Sequence, residues 1–110
     1  MPNVTVVVVD AVRKVGDFSM HTDILRCGSL IAEVGASASP SFAVYFGINA
    51  MIELGGRVES GPDLAIKGEG QALELVALLR YAANVLETKA SVAGVERVVL
   101  EGGTNIGEGA

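Results

Sequence analysis

Residues 71–87, QALELVALLRYAANVLE, constrain the fold more than any other stretch, because their apolar spacing reads as a helix of about five turns. Ala72, Leu75, Val76, Leu79, Ala82, Ala83 and Leu86 fall on one stripe expected to face a core. Leu73, Ala77, Leu78 and Val85 make the flanks apolar as well, leaving Gln71, Glu74, Arg80, Asn84 and Glu87 as the polar positions. A helix so nearly apolar around its circumference needs cover on more than one side. A chain of 110 residues has room for one domain, so the nearest cover is another copy of itself. A homo-oligomer is expected, with a dimer favoured.

The remaining elements are read around that helix. Residues 4–9, VTVVVV, are β-branched with no polar face, the pattern of a strand covered on both sides. Residues 11–16 read as a loop or an extension of that strand. A second helix is expected over residues 19–34, capped by Asp17 or Ser19. Its apolar face would be Ile24, Cys27, Gly28, Ile31 and Val34, and Gly35 would end it. ASASPS at 36–41 is a loop, and FAVYFG at 42–47 a strand. Residues 48–54 fit either a short helix or half of a hairpin turning at Gly55-Gly56. Residues 64–67 and 95–101 read as strands. This order predicts a single α/β (α+β) domain over residues 1–101, with a glycine-rich tail at 102–110. Its architecture is expected to be a two-layer sandwich of four strands and two main helices, in a ferredoxin-like or related βαβ topology.

Composition removes several classes of function. Half of the residues are apolar and 19% are charged, with a mean hydropathy of +0.47, which excludes a disordered chain. No window approaches about 18 uninterrupted apolar residues, so no membrane span is expected. The start has no basic segment of the kind that opens a signal peptide. The single cysteine, Cys27, excludes an internal disulfide and a cysteine-built zinc site, and suits a reducing, cytoplasmic location. A net charge of −5 argues against a general nucleic-acid coat or an anionic membrane as partner.

Among residues that carry chemistry, IKGEGQ at 66–71 stands out, at a junction leading into the clear helix. Gly68 and Gly70 would let backbone approach a ligand, and the helix N-terminus would favour an anion. The same glycines also suit a plain tight turn. The run IKGEGQALELVALLRYAANVLE resembles the region where Alba-family proteins place a short strand, a glycine turn and their second helix. The family pattern falls here on Ile66, Lys67, Gly70 and Ala72, and the basic pair Arg13-Lys14 after the first strand is similarly placed. The resemblance covers about a third of the chain. It implies a dimeric α/β protein that binds DNA or RNA through its basic loop, Arg13 and Lys14, and its lysine-bearing strand, Lys67; with the glycine turn, the expected nucleic-acid or anion site is Arg13, Lys14, Lys67, Gly68, Gly70 and Gln71. Two departures are visible: residues 17–47 are longer than the pattern needs, and Glu69 stands where the family carries a basic residue.

Asp17 and His21 stand four apart and would share a helical face, as a base–orienter pair or part of a polar site. A surface histidine in a first helical turn is the simpler reading, and no metal site is expected. Cys27 reads as a small buried hydrophobe rather than a nucleophile. Alternation puts Phe42, Val44 and Phe46 on one side of their strand and Tyr45 on the other, where it is the better candidate for an exposed contact. No nucleophile–base set, metal cluster or cofactor loop is complete, so catalysis and cofactors are not expected. The sequence therefore points to a small, non-catalytic, self-assembling binding protein with an Alba-like nucleic-acid role. The alternatives are a small-molecule or anion-binding regulatory module with its pocket at a subunit interface, and a small enzyme with a site shared between subunits.

Overall fold

The computed structural model describes residues 3–39, 41–54, 57–60 and 65–102, with the backbone course alone for 50–54 and 57–60. It is an α+β fold. Five strands come first: β1 (Val7–Val15), β2 (Phe18–Cys27), β3 (Leu30–Ser37), β4 (Ala43–Leu54) and β5 (Arg57–Ser60). One helix, α1 (Gly68–Lys89), follows them. The strands pair antiparallel with their sequence neighbours, in the order β1-β2-β3-β4-β5. This meander replaces the expected βαβ topology.

The second helix expected over residues 19–34 is the β2–β3 hairpin. Its spacing is compatible with a helix, but strand alternation fits it too. Leu25 and Cys27 on β2 stand opposite Ala32 and Leu30 on β3, all four buried on one face. Gly28 decides between the two. Its φ of +58° suits the tight turn Gly28-Ser29, which joins the paired ends Cys27 and Leu30. Gly16-Asp17 does the same between Val15 and Phe18, with Gly16 at φ +59°. Residues 11–16 thus extend the first strand into that turn. Residues 48–54 take the hairpin alternative, with Leu54 opposite Arg57, and the turn at Gly55-Gly56 lies outside the described residues.

Among the described residues, two expected strands are absent. Residues 65–67 and 91–102 run without ladder pairing; Leu64 and residues 103–110 lie outside the described residues. The first strand is also not covered on both sides: β1 is an edge, and Val7, Val8, Val9 and Val12 are all exposed.

The helix packs on β3 and, less extensively, on β2. The core joins Leu25, Cys27, Leu30, Ala32, Val34 and Ala36 of the sheet to Leu78, Ala82 and Val85 of α1. The buried stripe is thus rotated from the one expected, with Leu78 and Val85 inward, Leu79 on the flank towards β4 and Val76 outward. A helix apolar on nearly every side has a position that periodicity reads well and a rotation that it reads poorly. Asp23 fixes the rotation. It is buried on β2 and accepts hydrogen bonds from the Tyr81 hydroxyl at 2.9 Å and Lys89 Nζ at 3.4 Å. At the other end, Gln71 Nε2 donates to Ser29 Oγ at 2.7 Å, seating the first turn of α1 on the β2–β3 turn.

Candidate functional site

Alternation along the strands gives the sheet two unlike faces. One carries α1. The other is open, and on it Arg13 of β1, Thr22 of β2, Glu33 of β3 and Tyr45 of β4 converge. Arg13 donates from Nε and Nη2 to the two carboxylate oxygens of Glu33, at 2.9 and 2.7 Å. The Thr22 hydroxyl donates to Glu33 Oε2 at 2.7 Å. The guanidinium lies over the Tyr45 ring, 4.4 Å from its centroid. A bidentate ion pair stacked on an aromatic face holds the arginine in one orientation. Three of its five N–H donors remain beyond the two given to Glu33.

Gly35 makes this convergence possible. It stands opposite Tyr45, and a Cβ there would lie 2.6 Å from Thr22 Cγ2 and 2.9 Å from Met20 Sδ. The bare backbone lets Met20 and Thr22 fill that space, and both are buried. Beside the cluster lies a groove of about 370 Å³ with Ile24 and Ile31 as apolar walls and Gly47 and Asn49 at its β4 side.

The electrostatics follow from contact. The guanidinium holds the Glu33 carboxyl below its ordinary range, and Thr22 adds to the shift against partial burial. Hydrogen bonding to Glu33 in turn raises the pKa of Arg13. On the other face, burial and then the bond to Asp23 push the Tyr81 phenol up. Burial and the Glu74 carboxylate raise the Cys27 thiol, which is inaccessible, as its reading as a small hydrophobe expects.

The expected site residues are dispersed. Arg13 and Lys14 are successive in β1 and project to opposite faces. Lys67 is the N-cap of α1, in the helical layer, and its N–H donates to Gln71 Oε1 at 2.8 Å. Gly68, at φ +84°, and Gly70 open the helix, with nothing near the position of a Cβ at either. Gly70 borders a shallow groove with Cys27, Gly28 and Glu74. Asp17 sits in the β1–β2 turn and His21 is exposed on β2, so they do not share a helical face. Among the described residues, no three His, Cys, Asp or Glu side chains gather as a metal site.

Sequence reasoning missed Glu33, placing it inside a helix. The usable signal was the alternation of Ile31, Glu33 and Gly35 against Leu30, Ala32 and Val34. Tyr45 was correctly separated from Phe42, Val44 and Phe46. On the α1 side, Val44, Phe46, Leu79, Ala83 and Leu86 line a second, wholly apolar groove of about 280 Å³ between the helix and β4.

No protein-family model, curated protein or solved structure matches this chain. Among the described residues, no helix is long and apolar enough to cross a membrane.

Proposed function

We propose that this chain is a self-assembling binding protein whose ligand surface is the open-face groove beside Arg13, Glu33 and Tyr45. The observation that carries the assembly is the half-covered sheet. One helix lies over β2 and β3, while Val8, Val12, Val44 and Phe46 on the same face, Leu79 on the flank of α1 beside β4, and Val76 on its outer side stay in water. Apolar surface on this scale is the mark of an interface. The groove supports the ligand reading. An arginine held in place over an aromatic ring, beside isoleucine walls, suits a small molecule with an apolar body and one acceptor group, such as a carboxylate.

An Alba-like contact with nucleic acid calls for Arg13, Lys14 and Lys67 to act on one surface. Arg13 is engaged by Glu33, and Lys14 projects to the other face, so phosphate neutralisation there would be small.

Light scattering after gel filtration tests the assembly, and a dimer or larger oligomer is the expected result. Benzoate, which carries a ring and a carboxylate, probes the groove in an amide NMR titration. Shifts centred on Arg13, Tyr45 and Gly47, and lost in Arg13→Ala, support the reading. A polarisation titration with duplex DNA and single-stranded RNA at about 50 and 200 mM salt tests the other. Saturable binding that falls steeply with salt would overturn the small-ligand reading.

A further inference from the structure

Two features of the chain each lack what the other offers. The first is β1, an edge strand of nine residues without proline, whose Val7, Val8, Val9 and Val12 are 42–63% exposed. An edge this long and apolar presents a row of unpaired backbone groups to any chain of matching pattern. The second is the segment after α1. Val95, Val98, Val99 and Leu100 are 65–79% exposed, in a run whose β-branched composition reads as a strand. It leaves the helix through Ser91, which adopts a left-handed φ of 54°, and Val92 N–H donates back to the Leu86 carbonyl at 3.4 Å.

We propose that residues 95–101 of one copy add to the β1 edge of a second copy as an antiparallel sixth strand, and that the exchange is reciprocal. The inference rests on the self-assembly reading above and names its surface. The charges select a register. With Arg97 opposite Asp10, the pairing places Val98 opposite Val9, Val99 opposite Val8, Leu100 opposite Val7 and Val95 opposite Val12. Each exposed valine of β1 then meets an apolar side chain on its own face of the sheet, and the one acid of the apolar stretch meets a cation. Pairing β1 with β1 of a second copy would leave the valines of the arm in water. Residues 95–101 pair with no strand of their own chain among the described residues, so a second copy supplies the match without altering the turn at Ser91.

Val9 and Val98 give the test, because both are exposed and lie opposite each other on the face away from buried Cys27. Directly opposed residues in an antiparallel pair are within disulfide reach. Val9→Cys chains mixed with Val98→Cys chains and mildly oxidised are expected to give a linked two-chain species, in greater yield than either variant alone. A double variant that instead closes within one chain, as a monomer two hydrogens lighter, would overturn exchange in favour of the arm folding onto its own edge. If neither arrangement cross-links while light scattering still reports an oligomer, the arm proposal fails and self-assembly stands. A monomer at every concentration removes both. Asp10→Arg is expected to weaken the dimer by up to about thirtyfold, because a reciprocal dimer carries the contact twice, with Arg97→Asp restoring it. Equal weakening in the double charge swap would overturn the register.

Discussion

Glu33 on β3 and Arg13 on β1 meet across the whole width of β2, through two hydrogen bonds of 2.7 and 2.9 Å. The contact ties the first strand to the third, and it passes over Thr22, which donates to the same carboxylate. Thr22 is 1% exposed, so its hydroxyl depends on that acceptor.

Replacing Glu33 with Ala should therefore cost more than an exposed ion pair would. The expected loss is about 1–3 kcal/mol, the range for a buried polar group left without its partner. Urea unfolding of Glu33→Ala, Thr22→Val and the double variant checks it. The double variant should lie well short of the sum of the singles.

The same carboxylate sets an acid limit. Its pKa is held down in the folded protein, chiefly by Arg13. The stabilisation is thus present above the unfolded value, about 4.3, and is lost as pH falls through the lower folded value. Thermal midpoints measured downward from neutral pH should fall in that acid range more steeply for the parent than for Glu33→Gln.

Gly35→Ala should destabilise although it adds one methyl group. That methyl would meet Thr22 and Met20 at 2.6 and 2.9 Å, in a region with no slack. Overpacking of this kind costs about 1–3 kcal/mol. The amide spectrum should change around Tyr45, its cross-strand neighbour.

Leu78 is fully buried at the centre of the helix–sheet contact. Leu78→Ala is expected to cost about 2–5 kcal/mol, while Val76→Ala, on the outer side, should leave monomer stability nearly unchanged. Denaturation at low protein concentration separates the two. A larger loss at Val76 would mean that the helix is rotated as its periodicity alone suggests.

Tyr81 offers an alkaline counterpart. Burial and the Asp23 carboxylate raise its pKa, so the tyrosine stabilises below its unfolded value, about 10, and loses that contribution as pH rises through the folded one. In Tyr45→Phe, absorbance titration reads Tyr81 alone. Asp23→Asn should bring its midpoint down.

The α+β class and the position of α1 were legible in the sequence, because 3.6-residue periodicity over 17 positions has no competing interpretation. The first half of β4 was legible from its aromatic and β-branched run, whereas residues 48–54 fitted a short helix as well as a hairpin. The β2–β3 hairpin was not. Ile24, Cys27, Ile31 and Val34 satisfy helical spacing by coincidence, and only Gly28-Ser29 marks the turn. Arg13 was visible as a candidate, but its partner Glu33 was hidden by that misreading. The separation of Arg13 from Lys14 followed once residues 11–15 proved to be strand. Residues 95–101 read as a strand from composition, yet a strand also requires an edge to pair with, which no local pattern supplies.

The meander has a consequence during synthesis. Strands β1 to β5 are all made before the first residue of α1, and the 22 residues of the helix take about 1–4 s to translate at ordinary rates. Throughout that interval Leu25, Leu30, Ala32 and Val34 have no lid, and neighbour-to-neighbour pairing can assemble the sheet within milliseconds. The apolar face of the sheet is thus left without its cover until the helix has been made, and the chain has most to hide between the synthesis of β5 and that of α1.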